Sequence, residues 1–269
     1  MWDILVPHPS GSIAVQIGNP ADLPAVHAGM TTFHTPRPLL EEPVLPPVDT
    51  KKIRTIIDHA SDGYLAPADI QGLMDAAGIP RAGEAVVKSA DEAAQAALKL
   101  GLPVVMKVVG PIHKSDVGGV VLNVKNENSV RSEFERMIKI PETTAILIQP
   151  MLSGTELFVG AKFEPKFGHM ILCGIGGTFI EVLKDVTAGL GPVGHDEALQ
   201  MIRSLKSYKI IQGVRGQKGV DEEKFAAIIL SLSSLLNAAP EIMELDFNPL
   251  LGTETSVIAV DARIRVQKV

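Results

Sequence analysis

Two hydrophobic periods alternate along the chain. Ile53, Ile56 and Ile57 share the face of a predicted helix that Asp49 or Thr50 can cap. Ile70, Leu73, Met74 and Ala77 mark a second helix, which begins near Pro67 and stops at Gly78. Ser89 and Glu92 form a capping box ahead of Ala93, Ala96, Ala97 and Leu100, and Gly101 closes that helix. Val130, Phe134, Met137 and Ile138 predict another, and residues 198–206 and 222–236 two more. Between these lie short β-branched runs read as strands: 103–109, 120–124, 145–148, 155–163, 169–174, 242–251 and 257–266. The strands neighbour one another as often as they alternate with helices. That predicts an α/β (α+β) arrangement with antiparallel pairs rather than a doubly wound parallel sheet. Neither GxGxxG nor GxxxxGK[ST] occurs.

Residues 1–48 lack helical periodicity and are crowded with proline, from Pro7 and Pro9 to Pro46 and Pro47. They read as an extended leader or linker, with one short strand at 12–17, and as a possible remnant of an upstream domain. The rest is ordinary globular composition, 46% hydrophobic and 21% charged. A net charge of −6 disfavours a nucleic-acid surface while leaving room for a local cationic pocket. Cys173 is the only cysteine, so no internal disulfide and no thiolate metal cluster is available. No apolar run approaches the roughly 20 residues of a membrane span, and the N-terminus has no secretory pattern. The expected setting is cytoplasmic, without a membrane partner.

Candidate chemistry concentrates in two stretches. Residues 107–119 (KVVGPIHKSDVGG) join two apolar strands through Lys107, His113, Lys114, Ser115, Gly118 and Gly119. Cations neutralise phosphate charge, and glycines let backbone N–H groups approach phosphate oxygens. The plain alternative is a hairpin with a polar tip. In the second stretch, strand alternation puts Glu244, Asp246 and Asn248 on one face and Leu245 and Phe247 on the other. Asp261 interrupts an apolar strand that a hairpin would lay beside the first. Such carboxylate and amide oxygens suit Mg²⁺ with substrate phosphates, against the alternative of a solvated strand face. Gly174, Gly176 and Gly177 form a further loop leading to Glu181 and Asp185, and Glu156 could accept from ribose hydroxyls. The histidines other than His113 have no supporting constellation and read as structural.

HKSDVGGV at 113–120 after PVVMKV, FGHMILCGIGGTFIEVLKD at 167–185, the Arg215–Gly216 pair, PEIMELDFNPLL and VIAVDARI together resemble the ATP-grasp domain of NDP-forming acyl-CoA synthetases. The likeness runs from about Ala66 to Arg265. It implies an ATP-grasp fold of two lobes with nucleotide between them: a larger lobe of residues 49–79 and 150–269, and a smaller one of 80–149. By position, Lys107 would contact ATP phosphates, with Ser115, Gly118 and Gly119 in the phosphate loop and Gly177 in a second glycine loop. Gln149 to Met151 would form an adenine hinge working largely through backbone groups, with Glu156 on the ribose. Asn248 and Asp261 match magnesium ligands, and Asp246 an acidic residue that orients a phosphorylated histidine. His113 matches the nucleotide-side histidine that relays phosphate to ADP. The resemblance therefore implies ATP/ADP and Mg²⁺, and an acid–CoA ligase β component active with a CoA-binding α subunit or domain, in a hetero-oligomer or a fused chain. Two other roles remain open: a regulatory domain of a protein acetyltransferase, and an ATP-grasp carboxylate ligase.

Overall fold

The computed structural model describes residues 2–8, 11–17, 42–110, 117–177, 185–214, 216 and 218–268. The chain divides into two compact units, Met1–Arg81 with Gly154–Val269, and Ala82–Ser153. We call them the large and the small unit.

The large unit opens with an antiparallel hairpin of β1 (Trp2–His8) and β2 (Gly11–Ile17). Sequence reasoning anticipates only the second strand, because Pro7 and Pro9 mask the alternation of the first. Helices α1 (Thr50–His59) and α2 (Pro67–Ala76) flank β3 (Gly63–Tyr64). Of the two candidate caps, Asp49 does the work: its carboxylate accepts the Lys52 N–H at 2.9 Å. Beyond the small unit come β8 (Thr155–Glu164), β9 (Gly168–Ile175), β10 (Val186–Leu190), α5 (His195–Arg203), α6 (Tyr208–Gln212) and α7 (Glu222–Ala238). Then β11 (Ile242–Gly252), β12 (Val257–Ala259) and β13 (Ala262–Val266) complete it. Its sheet has the order β10-β9-β8-β11-β13-β3, with β12 also on β11, and every pairing is antiparallel.

One face of this sheet is core. Leu157, Val159, Ile171, Leu245, Phe247 and Ile264 pack in one cluster with Ile53, Leu73, Ile202 and Phe225 from the helices. Helix α5 ends earlier than its periodicity suggests: after the Ser204 and Leu205 N–H groups bond back to helix carbonyls, the buried Asp185 carboxylate accepts Lys206 N at 3.0 Å and Ser207 N at 2.6 Å. The strands β3 and β10 and the short α6 have too few apolar positions to announce themselves.

In the small unit, β4 (Ala85–Val87), α3 (Ala90–Leu100), β5 (Val104–Val109), β6 (Val120–Val124), α4 (Glu127–Met137) and β7 (Ala145–Pro150) form a sheet ordered β4-β7-β5-β6 with two helices. Val104, Met106, Val108, Ile146 and Ile148 face those helices and pack with Ala93, Ala97, Val130, Phe134 and Met137. Strand β5 ends at Gly110, whose φ is +130° and where a Cβ would sit 2.0 Å from the Glu142 carbonyl oxygen. Only glycine fits there.

Candidate functional site

Small-unit candidates lie on the sheet face turned away from α3 and α4. Directly paired residues of antiparallel strands share a face. Val105 pairs with Gln149, and Lys107 with both Leu147 and Val120, so these five stand together. Val105 and Leu147 are each 8% exposed and Gln149 is 5% exposed, while Lys107 is half-buried. The face thus carries a cation at one end, an amide at the other and two apolar side chains between them. Gln149 Nε2 donates to Glu84 Oε2 at 2.6 Å. The Met151 N–H, one of the expected hinge donors, is committed to the Pro103 carbonyl at 2.9 Å. Gly118 has a φ of +66° and its carbonyl accepts from Arg136, while the Gly119 carbonyl accepts the Val108 N–H at 2.8 Å. His113, Lys114 and Ser115 lie outside the described residues, as do Glu181 and Arg215.

Large-unit candidates gather where β11 is irregular. Phe247 pairs with Ala262 and Leu250 with Ala259, so residues 248–249 stand opposite 260–261 in the gap between β13 and β12. The Val260 N–H donates to the Pro249 carbonyl at 3.2 Å across that gap. Asn248 and Asp261 thereby become cross-strand neighbours. Asn248 Oδ1 accepts the Gly177 N–H at 3.1 Å, and Asp261 Oδ1 the Ala262 N–H at 3.1 Å. Gly177 has a φ of +66°, and the Glu156 side chain lies where a Cβ would project. Gly176 holds the loop down: its N–H donates to the Glu156 carbonyl at 2.8 Å, and a Cβ there would meet the Leu157 carbonyl at 2.4 Å. Asn248, Asp261, Gly177 and Glu156 are therefore built as one corner.

Asp246 lies two residues along the same strand, paired with Gly160 on one side and Arg263 on the other. Its Oδ1 is buried without a hydrogen-bond partner. Burial pushes its carboxyl up to about 6, with smaller upward contributions from Asp261 and Glu244 opposed by Arg263. A carboxylate left in this condition costs free energy unless something positive or hydrogen-bonding meets it. Arg263 is a neighbour that sequence reasoning missed; the signal was the alternation Asp261, Arg263, Arg265 along one strand. Glu84 was missed as well, and its short loop gave no signal.

The donor set fits a hard divalent cation. Asn248 and Asp261 offer oxygen rather than sulfur or imidazole, and an amide oxygen has a second lone pair beyond its bond to Gly177. Among the described residues no group of three or more His, Cys, Asp or Glu side chains could hold a metal. One carboxylate and one amide suit an ion that takes its remaining oxygens from phosphates and water. Cys173 is fully buried, its thiol pushed up to about 12 by burial, which leaves it inert. His169 is half-buried with its pKa lowered by burial, and its Nε2 lies 2.7 Å from the Ile242 carbonyl, a structural role.

A family model described as an ATP-grasp domain matches residues 55–266. The chain belongs to the ATP-grasp family. Its helices and antiparallel sheets form the α/β arrangement of the ATP-grasp fold, as the sequence motifs imply. The ATP-grasp chain is 38% identical over 225 residues to the acetate–CoA ligase (ADP-forming) I subunit beta of Pyrococcus furiosus, covering 79% of this chain and 97% of that one. It is 44% identical over 214 residues to the 4-hydroxybutyrate–CoA ligase (ADP-forming) of Nitrosopumilus maritimus, covering 76% of this chain but 31% of that longer one. A solved acetyl-coenzyme A synthetase 1 of Ca. Korarchaeum cryptofilum superposes with a TM-score of 0.70 at 30% identity, over 81% of this chain and all of that one. It is described in complex with coenzyme A and Mg-AMPPCP, with its phosphohistidine segment pointing towards the nucleotide binding site. The relatives are thus ADP-forming acid–CoA ligases, one a β subunit matched along nearly its whole length. No helix among the described residues is long and apolar enough to cross a membrane.

Proposed function

We propose that this ATP-grasp chain is the nucleotide-handling β component of an ADP-forming acyl-CoA synthetase, working in the cytoplasm with a CoA-binding α subunit or domain. The observation that carries the reading is the corner formed by Asn248, Asp261 and Gly177, with Asp246 beside it on the same strand. Those side chains would hold Mg²⁺ through Asn248 and Asp261, and the bound ion would offset charge on phosphoryl oxygens. Lys107, in the small unit, would supply a protein cation for nucleotide phosphate, an assignment that rests on the sequence resemblance. Gly177 and Gly118 both adopt a φ of +66°, which larger residues rarely do, and Glu156 would accept from ribose hydroxyls. The smaller and larger lobes of the ATP-grasp fold correspond in this reading to the small and large units.

His113 would carry the phosphoryl group between the α partner and nucleotide, an assignment that rests on sequence resemblance. In the direction of ATP synthesis a β-phosphate oxygen of ADP attacks phosphorus. The P–N bond breaks and its electron pair returns to the imidazole ring, which leaves neutral. Asp246 would orient that ring, since a carboxylate fixes which imidazole nitrogen keeps its proton.

The test runs the transfer backwards on the chain as it stands. Incubation with γ-labelled ATP and Mg²⁺ should deposit acid-labile phosphate on the protein, and His113→Ala should abolish the label while ATP still binds. A ligase acting directly on acyl phosphate would leave the protein unlabelled, and that result would end the proposal.

A further inference from the structure

Asn248 and Asp261 sit where the large unit's sheet is least regular. Strand β11 shifts register against β8 between Phe247 and Leu250, so Asn248 and Pro249 together face the single residue Phe158. On the other side the same two residues face the gap between β12 and β13. A bulge interrupts the ladder locally, so its position is set by the strands that flank it. One flank is ordinary strand, with Phe247 paired to Ala262. The other is β12, only three residues long, and residues 80–81 close its outer edge. The Ala259 N–H donates to the Pro80 carbonyl at 2.9 Å, and Arg81 bridges Ala259 in parallel register. Ala259 lies two residues before Asp261 and is paired with Leu250, two residues after Asn248.

A side-chain fork holds residues 80–81 in that place. Arg81 Nε and Nη2 donate to the two carboxylate oxygens of Asp75, in the last turn of α2, at 2.8 and 3.1 Å. The two side chains are 24% and 46% exposed, too open for the pair to add much to stability. Two parallel bonds nevertheless fix orientation. Arg81 is also the last residue of the large unit before the chain enters the small one, so a displacement of that connection reaches its backbone first. We propose that Arg81, clamped by Asp75, is a positioning residue for the divalent-cation corner. It fixes Ala259, and through Ala259 the placement of Asp261 and Asn248. This rests on the metal-binding reading above.

The readout is the factor by which saturating Mg²⁺ tightens ADP binding to the whole chain, measured by calorimetry with and without the metal. Arg81→Met should lower that factor by about threefold to tenfold, at or below the low end of what losing an outer partner of a metal ligand costs. Metal-free ADP binding should stay unchanged. Arg81→Lys, whose ammonium cannot reproduce the two-bond fork, should recover part of the loss. Asp75→Asn removes the clamp from the helix side and should lower the factor in the same direction; it serves if Arg81→Met does not fold. Arg203→Met breaks an ion pair with Glu222 elsewhere on the large unit and should leave the factor as it was. An unchanged factor in folded Arg81 and Asp75 variants overturns the proposal, whatever their melting temperatures, as does an equal loss of ADP affinity with and without Mg²⁺. If the unmodified chain binds ADP no tighter with Mg²⁺, the metal reading itself fails and takes this proposal with it.

Discussion

On the small unit's sheet, Lys107 and Gln149 stand among Val105, Leu147 and Val120, whereas the large unit's sheet presents Asp246, Asn248, Glu244, Lys162, Arg263 and Arg265 in facing rows. The first face is apolar with two polar groups at its ends. The second is almost wholly charged, and at its centre a half-buried carboxylate has one buried oxygen without a hydrogen bond. The contrast separates two tasks. Sparse polar groups on an apolar floor suit recognition of a flat ligand, because each group reports on one edge and the floor supplies contact area. Dense opposed charge suits placing phosphate and metal, at a cost to the unliganded fold.

The largest expected effect breaks that division at the metal corner. Asp261→Ala should slow labelling from γ-labelled ATP by about 10³-fold, the order seen when one electrostatic partner of a transferring group is removed. Lys107→Ala should instead weaken ATP binding by about 10- to 100-fold. If both substitutions changed binding alone and left the labelling rate at saturating ATP untouched, the proposed division of labour would be wrong.

Next in size is a change to the small unit's frame. Gly110→Ala asks a residue to adopt a φ of +130° with its Cβ 2.0 Å from the Glu142 carbonyl oxygen. Backbone on both sides would have to move, so the loss should be about 3 kcal/mol or more in chemical denaturation. Hydrogen exchange should place the weakening in residues 82–153. Gly83→Ala is the control, since only the Leu100 side chain lies near its Cβ position, at 3.4 Å.

Much of this frame could be read beforehand from local rules. The Ser89–Glu92 box appears as read: Glu92 N–H donates to Ser89 Oγ at 3.2 Å, although the Glu92 carboxylate reaches back to the Lys88 N–H instead. The alternation at 244–248 also holds, exposing Glu244 and burying Leu245 and Phe247. What could not be read was register. Nothing local says that Arg263 stands opposite Asp246, that Glu84 meets Gln149 across 65 positions, or that Asp261 falls in the gap between two strands rather than within one. The strand β10 was hidden for a similar reason, since Val186–Leu190 is held by its pairing with β9 and has little apolar signal of its own.

A third prediction concerns the cost at the centre of the charged face. Asp246 has its carboxyl raised from 3.8 to about 6, so between those values the folded state holds more protons than the unfolded one. Stability therefore falls as pH rises through this window and stays lowered above it. Asp246→Asn removes the ionisation, and should stabilise the unliganded chain at pH 7 by about 1–2 kcal/mol while leaving it unchanged near pH 4. The same substitution should slow labelling, a trade of activity for stability expected where a site holds an uncompensated charge. A destabilised variant at pH 7 would show that Asp246 is a structural partner instead.

The smallest effects test whether the centre of that face differs from its rim. Glu244 and Arg265 approach only to 3.8 Å, and their side chains are 52% and 40% exposed. An exposed pair of this kind is worth little, so Glu244→Gln should alter stability by about 0.5 kcal/mol or less. Yet Glu244 acts on Asp246 through its charge, the least of the causes that raise it, while Arg263 opposes the rise. Carboxyl carbon shifts followed by NMR should therefore show the Asp246 midpoint falling slightly in Glu244→Gln and rising further in Arg263→Gln. Opposite signs from two neighbours on the same face, with almost no change in stability from the first, would establish that its charges act on Asp246 through the field rather than through packing. Movement in the same direction would mean that the substitutions had rearranged the strands.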